Sequence, residues 1–202
     1  MHIALLGDSI FDNAAYVAPG ADVAAALRRR APGWRVTLLA RDGAVLAGIP
    51  AQLERLRTVD APPDRLVVSC GGNDILGLQG LLHTPAGTLL AALDQLAAWR
   101  DDFRRAYAAM LEAVLATKLP VTACTVYDAV PGVDAARRCA VGIFDDVIAF
   151  EAGRRGMPVL DLRAVCDEAA DYSPRSPIEP SAQGSEKIAA AIVRLATTAA
   201  LQ

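Results

Sequence analysis

Short apolar runs alternate along the chain with longer segments of helical periodicity, and this alternation restricts the folds open to the sequence. Five runs, at residues 2–6, 35–40, 65–70, 121–125 and 158–162, are apolar almost throughout. Such runs are typical of strands that are covered on both faces. The repeated strand-helix order predicts a parallel sheet with a layer of helices on each side, which is a three-layer α/β sandwich.

The helical segments lie between these runs and after the last of them. They span residues 22–30, 49–57, 88–117, 134–155 and 181–201, and the long third segment leaves room for one break. Three prolines within residues 173–180 predict a stiff loop directly before the last helix. The sequence has no internal repeat and no linker, so we expect residues 1–202 to form a single domain.

Composition and charge exclude several classes of function. The net charge is −3 and no basic block is present, which argues against a nucleic-acid partner. The four cysteines are far apart and form no metal-ligand pattern, so we expect buried, reduced thiols and neither a metal ion nor another cofactor. No apolar run approaches the roughly 20 residues that cross a bilayer, and Gly7 and Asp8 interrupt the first run too early for a signal peptide. These features predict a cytoplasmic protein that does not bind membranes, and they leave its oligomeric state open.

A serine, a glycine and an asparagine follow the first three predicted strands. In parallel sheets the ligand site lies at the carboxyl ends of the strands, which is where Ser9, Gly43 and Asn73 stand. Each has an ordinary structural interpretation, as a helix N-cap, a turn glycine and an Asx-turn respectively. If they converge on one crevice, they supply a hydroxyl nucleophile, an unobstructed backbone N–H and a side-chain amide that can bind an oxyanion.

On these residues the chain resembles the SGNH hydrolases, also called the GDSL family. Gly7-Asp8-Ser9 matches the first family block, Gly43 stands at the oxyanion glycine of the second, and Gly71-Gly72-Asn73-Asp74 matches the third. Residues 178–189 are similar to the fifth block and the helix that follows it. The resemblance implies a flavodoxin-like sheet of five parallel strands and the hydrolysis of esters or related acyl groups. It also implies that Ser9 is the nucleophile, and that its own N–H, the Gly43 N–H and the Asn73 amide bind the oxyanion.

The chain departs from the family pattern at the general base. The fifth block has Asp-x-x-His before a proline, whereas Ser176 and Glu179 stand at these two positions before Pro180. A glutamate, with a pKa of about 4.3, is a weaker base than a histidine, with a pKa of about 6.5. Burial would raise the pKa of Glu179, and the N-terminus of the last helix would lower it. Glu179 is therefore either a non-standard base or a residue that orients the substrate or favours the start of the helix.

The two histidines are weak candidates for a replacement base. His2 begins the first strand, at the opposite end of the sheet from Ser9. His83 lies about ten residues beyond Asn73, in a segment that would have to fold back over the site as a lid. An exposed loop position is the simpler interpretation of His83.

Three further polar residues are candidates for substrate binding. Asn13, Asp42 and Asp74 lie near the same rim of the predicted sheet, although solvation of loops explains them equally well. Together these features predict a serine-dependent hydrolase that cleaves a small acyl or acetyl ester with a non-standard base. The alternatives are a catalytically silent protein that binds a small molecule in the same crevice, and an acyltransferase.

Overall fold

Five parallel strands form the central sheet of the protein, which the computed structural model describes over residues 1–198. The strands are β1 His2–Gly7, β2 Arg35–Leu38, β3 Arg65–Ser69, β4 Val121–Cys124 and β5 Val159–Leu160. Their order across the sheet is β2-β1-β3-β4-β5, and every neighbouring pair is parallel. This topology confirms the predicted flavodoxin-like α/β fold with five parallel strands.

Helices cover both faces of the sheet. They are α1 Val23–Arg30, α2 Ile49–Leu56, α3 Gly72–Gly77, α4 Leu89–Leu115, α5 Ala135–Gly153 and α6 Ala182–Thr198. Side chains alternate between two apolar cores along β1, where Ile3 and Leu5 join one core and Ala4 and Leu6 join the other. The first core includes residues of α1 and α6, and the second includes residues of α2, α4 and α5. Burial on both faces explains why the strands are apolar throughout.

The helix boundaries agree with the capping residues in the sequence. Thr88 caps α4 by accepting a hydrogen bond from the Ala91 N–H, and Asp134 caps α5 in the same way. α4 is continuous, so the break that its length allowed is absent from it. α3 was not predicted, since it begins with glycine, asparagine and aspartate, which are weak helix formers. The last predicted helix extended to residue 201, and residues 199–202 lie outside the described part of the chain.

The proline-rich segment before α6 is a hairpin and not the predicted loop. β6 Tyr172–Ser173 pairs antiparallel with β7 Ser176–Pro180, and Tyr172 lies opposite Pro180. Proline lacks an N–H donor but its fixed φ suits an extended backbone, so a two-stranded ribbon at an edge can accommodate it. The correction matters because Glu179 lies on β7.

The cysteine prediction is correct for three of the four thiols. Cys70, Cys124 and Cys166 are buried, whereas Cys139 is exposed on α5. Sequence periodicity alone did not reveal that this helix turns Cys139 towards solvent. Among residues 1–198, no helix has the length and apolar character needed to cross a membrane.

Candidate active site

The turn after β1 holds Ser9 at the carboxyl edge of the sheet. Gly7 has a φ of +131°, and a Cβ at this position would lie 1.7 Å from the carbonyl oxygen of Ser69 on β3. Only glycine therefore permits this close approach of β1 to β3. The Gln52 side chain accepts a hydrogen bond from the Gly7 N–H at 2.8 Å and donates one to the Gly7 carbonyl at 2.7 Å. These contacts set the direction in which the chain leaves the strand and presents Ser9.

Ser9 lines a cavity of about 100 Å³ at this edge of the sheet. The cavity walls are mainly apolar, which is typical of a small-molecule site with few polar groups. The polar and acidic residues in the walls are Asp8, Ser9, Asn73, Tyr127, Asp128 and Glu179. The structure thus brings three predicted site residues, Ser9, Asn73 and Glu179, to one cavity.

Glu179 is almost completely buried beside Ser9. Its side chain is 4% exposed, and its Oε2 atom has no hydrogen-bond partner among the described residues. The pKa of Glu179 is raised from 4.5 to about 7, chiefly by burial. A hydrogen bond with the neighbouring Ser9 hydroxyl opposes this rise, and the negative charge of Asp42 adds to it. Burial therefore outweighs any stabilisation of the carboxylate by the following helix. A carboxyl group with this pKa can exchange a proton near neutral pH.

Tyr127 holds the strand that carries Glu179. Its hydroxyl donates a 2.6 Å hydrogen bond to the carbonyl oxygen of Ile178, the residue before Glu179. Tyr127 follows β4 and is itself buried, so this bond links the hairpin to the edge of the parallel sheet. The position of Glu179 thus depends on packing between segments that are about fifty residues apart in sequence.

Asp8 is a second buried carboxyl in the cavity wall, and it was not among the predicted site residues. Its Oδ1 atom accepts a 3.1 Å hydrogen bond from the Ile10 N–H. The pKa of Asp8 is raised from 3.8 to about 7, chiefly by burial, with smaller contributions from the charges of Glu179 and Asp74 and an opposing effect of the backbone hydrogen bond. The sequence signal was its place directly before Ser9 in a motif, but motif position does not reveal burial.

Asn73 and Asp74 attach the start of α3 to the segment after β2. The Asn73 amide donates a 2.9 Å hydrogen bond to the Ala44 carbonyl, and Asp74 Oδ2 accepts a 3.0 Å bond from the Leu46 N–H. One bond uses one of the two amide hydrogens of Asn73, and the other remains for a ligand in the cavity. Asp74, whose pKa burial raises, does not line the cavity.

Gly43 lies directly before Ala44, which accepts the Asn73 hydrogen bond, and has a left-handed backbone conformation. Its φ is +74°, and a Cβ built there would meet no neighbouring atom within 4 Å. Glycine is thus favoured at this position because other residues rarely adopt a positive φ, and not because a side chain would clash. Gly43 does not line the cavity that Ser9 and Asn73 share.

The other two predicted substrate-binding residues do not line the cavity either. Asn13 is fully buried and donates to the Pro180 carbonyl and the Ser185 hydroxyl at 3.1 and 2.9 Å, and it accepts from the Val23 N–H at 3.0 Å. These bonds tie the loop after β1 to α1 and α6. Asp42 accepts a 2.6 Å hydrogen bond from the Tyr16 hydroxyl at the surface.

Neither histidine lines the cavity. The His2 ring contacts the Thr37 hydroxyl at 2.8 Å and the Pro62 carbonyl at 3.2 Å, at the amino end of the sheet. His83 is exposed at the end of a short 3-10 helix, Gln79–His83. Ser176, at the position of the family's aspartate, is also absent from the cavity wall.

Comparisons with known proteins give the same architecture. The model of the GDSL-like lipase/acylhydrolase family matches residues 5–187. A member of the lipolytic protein G-D-S-L family from Veillonella parvula has a similar structure, with 18% identity, a TM-score of 0.73 and 98% of each chain covered. The acetyl xylan esterase AlAXEase is 14% identical with a TM-score of 0.71, over 96% of this chain and 99% of that one. The extracellular lipase of Streptomyces rimosus is 18% identical with a TM-score of 0.68, over 96% and 99%. No curated protein sequence matches the chain at a significant level.

Proposed function

Since the chain belongs to the GDSL-like lipase/acylhydrolase family, whose model covers residues 5–187, and is an esterase-type hydrolase, we propose that Ser9 is its nucleophile. We further propose that Glu179 is the general base. One observation carries the proposal. Ser9 and the buried Glu179 carboxyl line the same cavity, and one carboxyl oxygen has no hydrogen-bond partner among residues 1–198. Such an oxygen is available to accept the serine proton.

The raised pKa of Glu179 supports its role as a base. An ordinary glutamate is about two pKa units less basic than histidine, which would make removal of the serine proton less favourable by roughly 3 kcal/mol. The pKa of Glu179 is about 7, so this difference is largely removed by burial. Above pH 7 the carboxyl is mostly ionised and can accept a proton.

The proposed reaction follows from these positions. Glu179 accepts the proton of the Ser9 hydroxyl while the oxygen attacks the ester carbonyl. The oxyanion that forms is stabilised by the Ser9 N–H, the free amide hydrogen of Asn73 and, as a further proposal, the Gly43 N–H. Glu179 then returns the proton to the leaving alcohol. Water, activated by the same carboxylate, releases the acid from the acyl-enzyme and restores Ser9.

We propose a small acyl or acetyl ester as the minimal substrate. A cavity of about 100 Å³ with mainly apolar walls suits a short acyl group next to Ser9. All the groups in the proposed reaction belong to the chain, so we propose that no cofactor takes part. The cytoplasmic location remains a prediction.

Two variants and a serine-directed probe test the proposal. We expect purified protein to hydrolyse p-nitrophenyl acetate and to be labelled by a fluorophosphonate probe, and Ser9→Ala to lose both properties. Glu179→Gln should lower kcat by roughly 10²- to 10⁴-fold. Ser176→Ala, a serine on the same hairpin as Glu179 but outside the cavity, is the matched control and should keep both activities. Retention of hydrolysis in Ser9→Ala would show that another residue is the nucleophile.

A further inference from the structure

Asp145 is a buried carboxyl that the proposed reaction does not use. It lies within α5 and is fully buried, and its Oδ2 atom has no hydrogen-bond partner among the described residues. The guanidinium Nε atom of Arg163 is 3.7 Å from this oxygen. A buried carboxyl oxygen without a hydrogen bond costs stability, and aspartate is a weak helix former. Neither stability nor helix propensity therefore accounts for an aspartate at this position.

The other carboxyl oxygen of Asp145 fixes the loop after β4. Its Oδ1 atom accepts a 2.8 Å hydrogen bond from the Val126 N–H, two residues past the end of β4. The preceding residue is held from the side of β5. The Thr125 hydroxyl donates to Asp161 Oδ1 at 3.0 Å and accepts from the Leu162 N–H at 2.8 Å. α5 and the segment after β5 thus hold two consecutive residues of this loop.

Tyr127, the next residue of the loop, contacts both strands of the hairpin that carries Glu179. Its hydroxyl donates the 2.6 Å hydrogen bond to the Ile178 carbonyl on β7. Its ring meets the Tyr172 ring on β6 edge to face, with 5.0 Å between the ring centroids. Val126 and Tyr127 also line the cavity beside Ser9. A shift of the loop at Val126 would therefore displace both contacts with the hairpin.

We propose that Asp145 is a positioning residue for the reaction of this site. It fixes the loop after β4 at Val126, and Tyr127 of that loop keeps the base packed beside the nucleophile. The inference rests on the proposed function, because it takes Glu179 as the base. The role requires a hydrogen-bond acceptor at Asp145 and not a negative charge, since the donor is a neutral backbone N–H. Without the acceptor, the Val126 N–H lacks its partner and the loop must shift to find another.

Replacement of Asp145 by residues with and without an acceptor tests the proposal. Asp145→Asn keeps an accepting oxygen, whereas Asp145→Leu has a similar size and no acceptor. We expect Asp145→Leu to lower kcat for p-nitrophenyl acetate at pH 8 by about ten- to a hundredfold with little change in KM, and Asp145→Asn to keep kcat near the parent value. The matched control is Glu151→Leu, which removes another buried carboxyl of α5. Glu151 pairs with Arg104 and Arg155 and not with the loop, so this variant should lose stability but keep kcat.

The pKa of Glu179 is a readout that a purely structural role of Asp145 would not change. If the loop shifts, water reaches the Glu179 carboxyl and its pKa falls from about 7 towards 4.5. The ¹³C NMR signal of this carboxyl, assigned with Glu179→Gln, follows the titration without substrate. We expect the midpoint to fall by about one pH unit or more in Asp145→Leu and to stay at the parent value in Asp145→Asn and Glu151→Leu. The neighbouring carboxyls Asp8 and Asp42 are unchanged in these variants, so a shift reports the burial of Glu179.

Tyr127→Phe tests the next contact along the same path. It removes only the hydroxyl that binds Ile178, and it should also lower the Glu179 midpoint and kcat. Combined with Asp145→Leu, its effect should be less than additive, because both substitutions release the same hairpin. Fully additive effects overturn the proposal. An unchanged midpoint in Tyr127→Phe also overturns it, even if Asp145→Leu does not fold.

The two readouts separate this inference from the proposed function. If Asp145→Leu lowers the Glu179 midpoint but the parent protein hydrolyses no ester, the proposed function fails and Asp145 still positions Glu179. If the parent hydrolyses esters through Ser9 but Asp145→Leu matches Asp145→Asn in kcat and in the midpoint, the positioning role is refuted and the proposed function stands.

Discussion

Replacement of Glu179 by glutamine should make the fold more stable while it removes the proposed base. Glu179 is 4% exposed, and one of its carboxyl oxygens has no hydrogen-bond partner among the described residues. An ionised carboxylate in such a position is costly, because burial removes it from water without full compensation. Glutamine has a similar size and no charge, so Glu179→Gln removes this cost.

The size of the gain follows from the pKa of Glu179. Burial raises it from 4.5, the ordinary value for an unfolded chain, to about 7. At about 1.4 kcal/mol for each factor of ten, this difference corresponds to about 3 kcal/mol, and screening by solvent at the cavity mouth reduces it to about 2 kcal/mol. Because the folded-state pKa is the higher one, the folded protein retains a proton that the unfolded chain loses. The contribution of Glu179 to stability is therefore fully present below pH 4.5 and is lost as the pH rises to about 7.

Thermal unfolding of both proteins at two pH values measures this effect. At pH 8 we expect Glu179→Gln to unfold about 4–8 °C above the parent protein, since 1 kcal/mol corresponds to about 2–4 °C for a chain of this size. At pH 4.5 the difference should nearly vanish. Glu54→Gln, at an exposed glutamate paired with Arg57 on the surface, is the control and should change the unfolding temperature little at either pH. A variant that is less stable than the parent at pH 8, or a gain independent of pH, would refute the reasoning.

Three further predictions concern the pH profile and the turns that position the site. The kcat/KM for an ester should rise with pH and level off above about pH 7, because Glu179 must be ionised to accept the serine proton. A plate assay over a pH series measures this profile, and a midpoint of the rise below pH 5 would contradict the prediction. Gly43→Ala and Gly20→Ala should each lower the free energy of unfolding by about 1–2 kcal/mol in a urea titration, since both glycines have positive φ and open space around a built Cβ. Only Gly43→Ala should also lower kcat, and equal kcat values for the two variants would remove Gly43 from the proposed oxyanion hole. Gln52→Ala leaves the buried Gly7 N–H without its partner, whereas the Gly7 carbonyl still accepts a 3.0 Å hydrogen bond from the Arg41 N–H. The variant should therefore lose about 1–3 kcal/mol in urea unfolding, and an unchanged free energy of unfolding would show that water or another group replaces the amide.

Much of the fold was predictable because its signals are local. Apolar runs located all five strands of the sheet, and helical periodicity located every helix of eight residues or more among the described residues. The placement of Ser9 and Asn73 at one edge was also predictable from their joint position and the family resemblance, since a parallel sheet places the carboxyl ends of its strands at one edge. The hairpin was missed because two short strands with three prolines give no alternating pattern.

The roles of single polar residues were less predictable. Asn13 and Asp74 stand near the site in sequence, yet their side chains bind the backbone of other segments. Asp8 was overlooked although it lines the cavity beside Ser9. In each case the neighbours that decide the role are distant in sequence, so no local pattern could identify them.

The sequence by itself determined that Ser9 and Asn73 stand at the carboxyl ends of two strands, and that Glu179 occupies the position where the family has a histidine. Only the tertiary structure decided what that glutamate can do. The pKa of Glu179 depends on how completely β7, held by Tyr127, covers the carboxyl, and burial there outweighs the lowering effect of the Ser9 hydroxyl. Desolvation and cavity shape depend on segments that are distant in sequence and come together only in the folded chain. The sequence could therefore identify candidate residues but not the burial and charge around them.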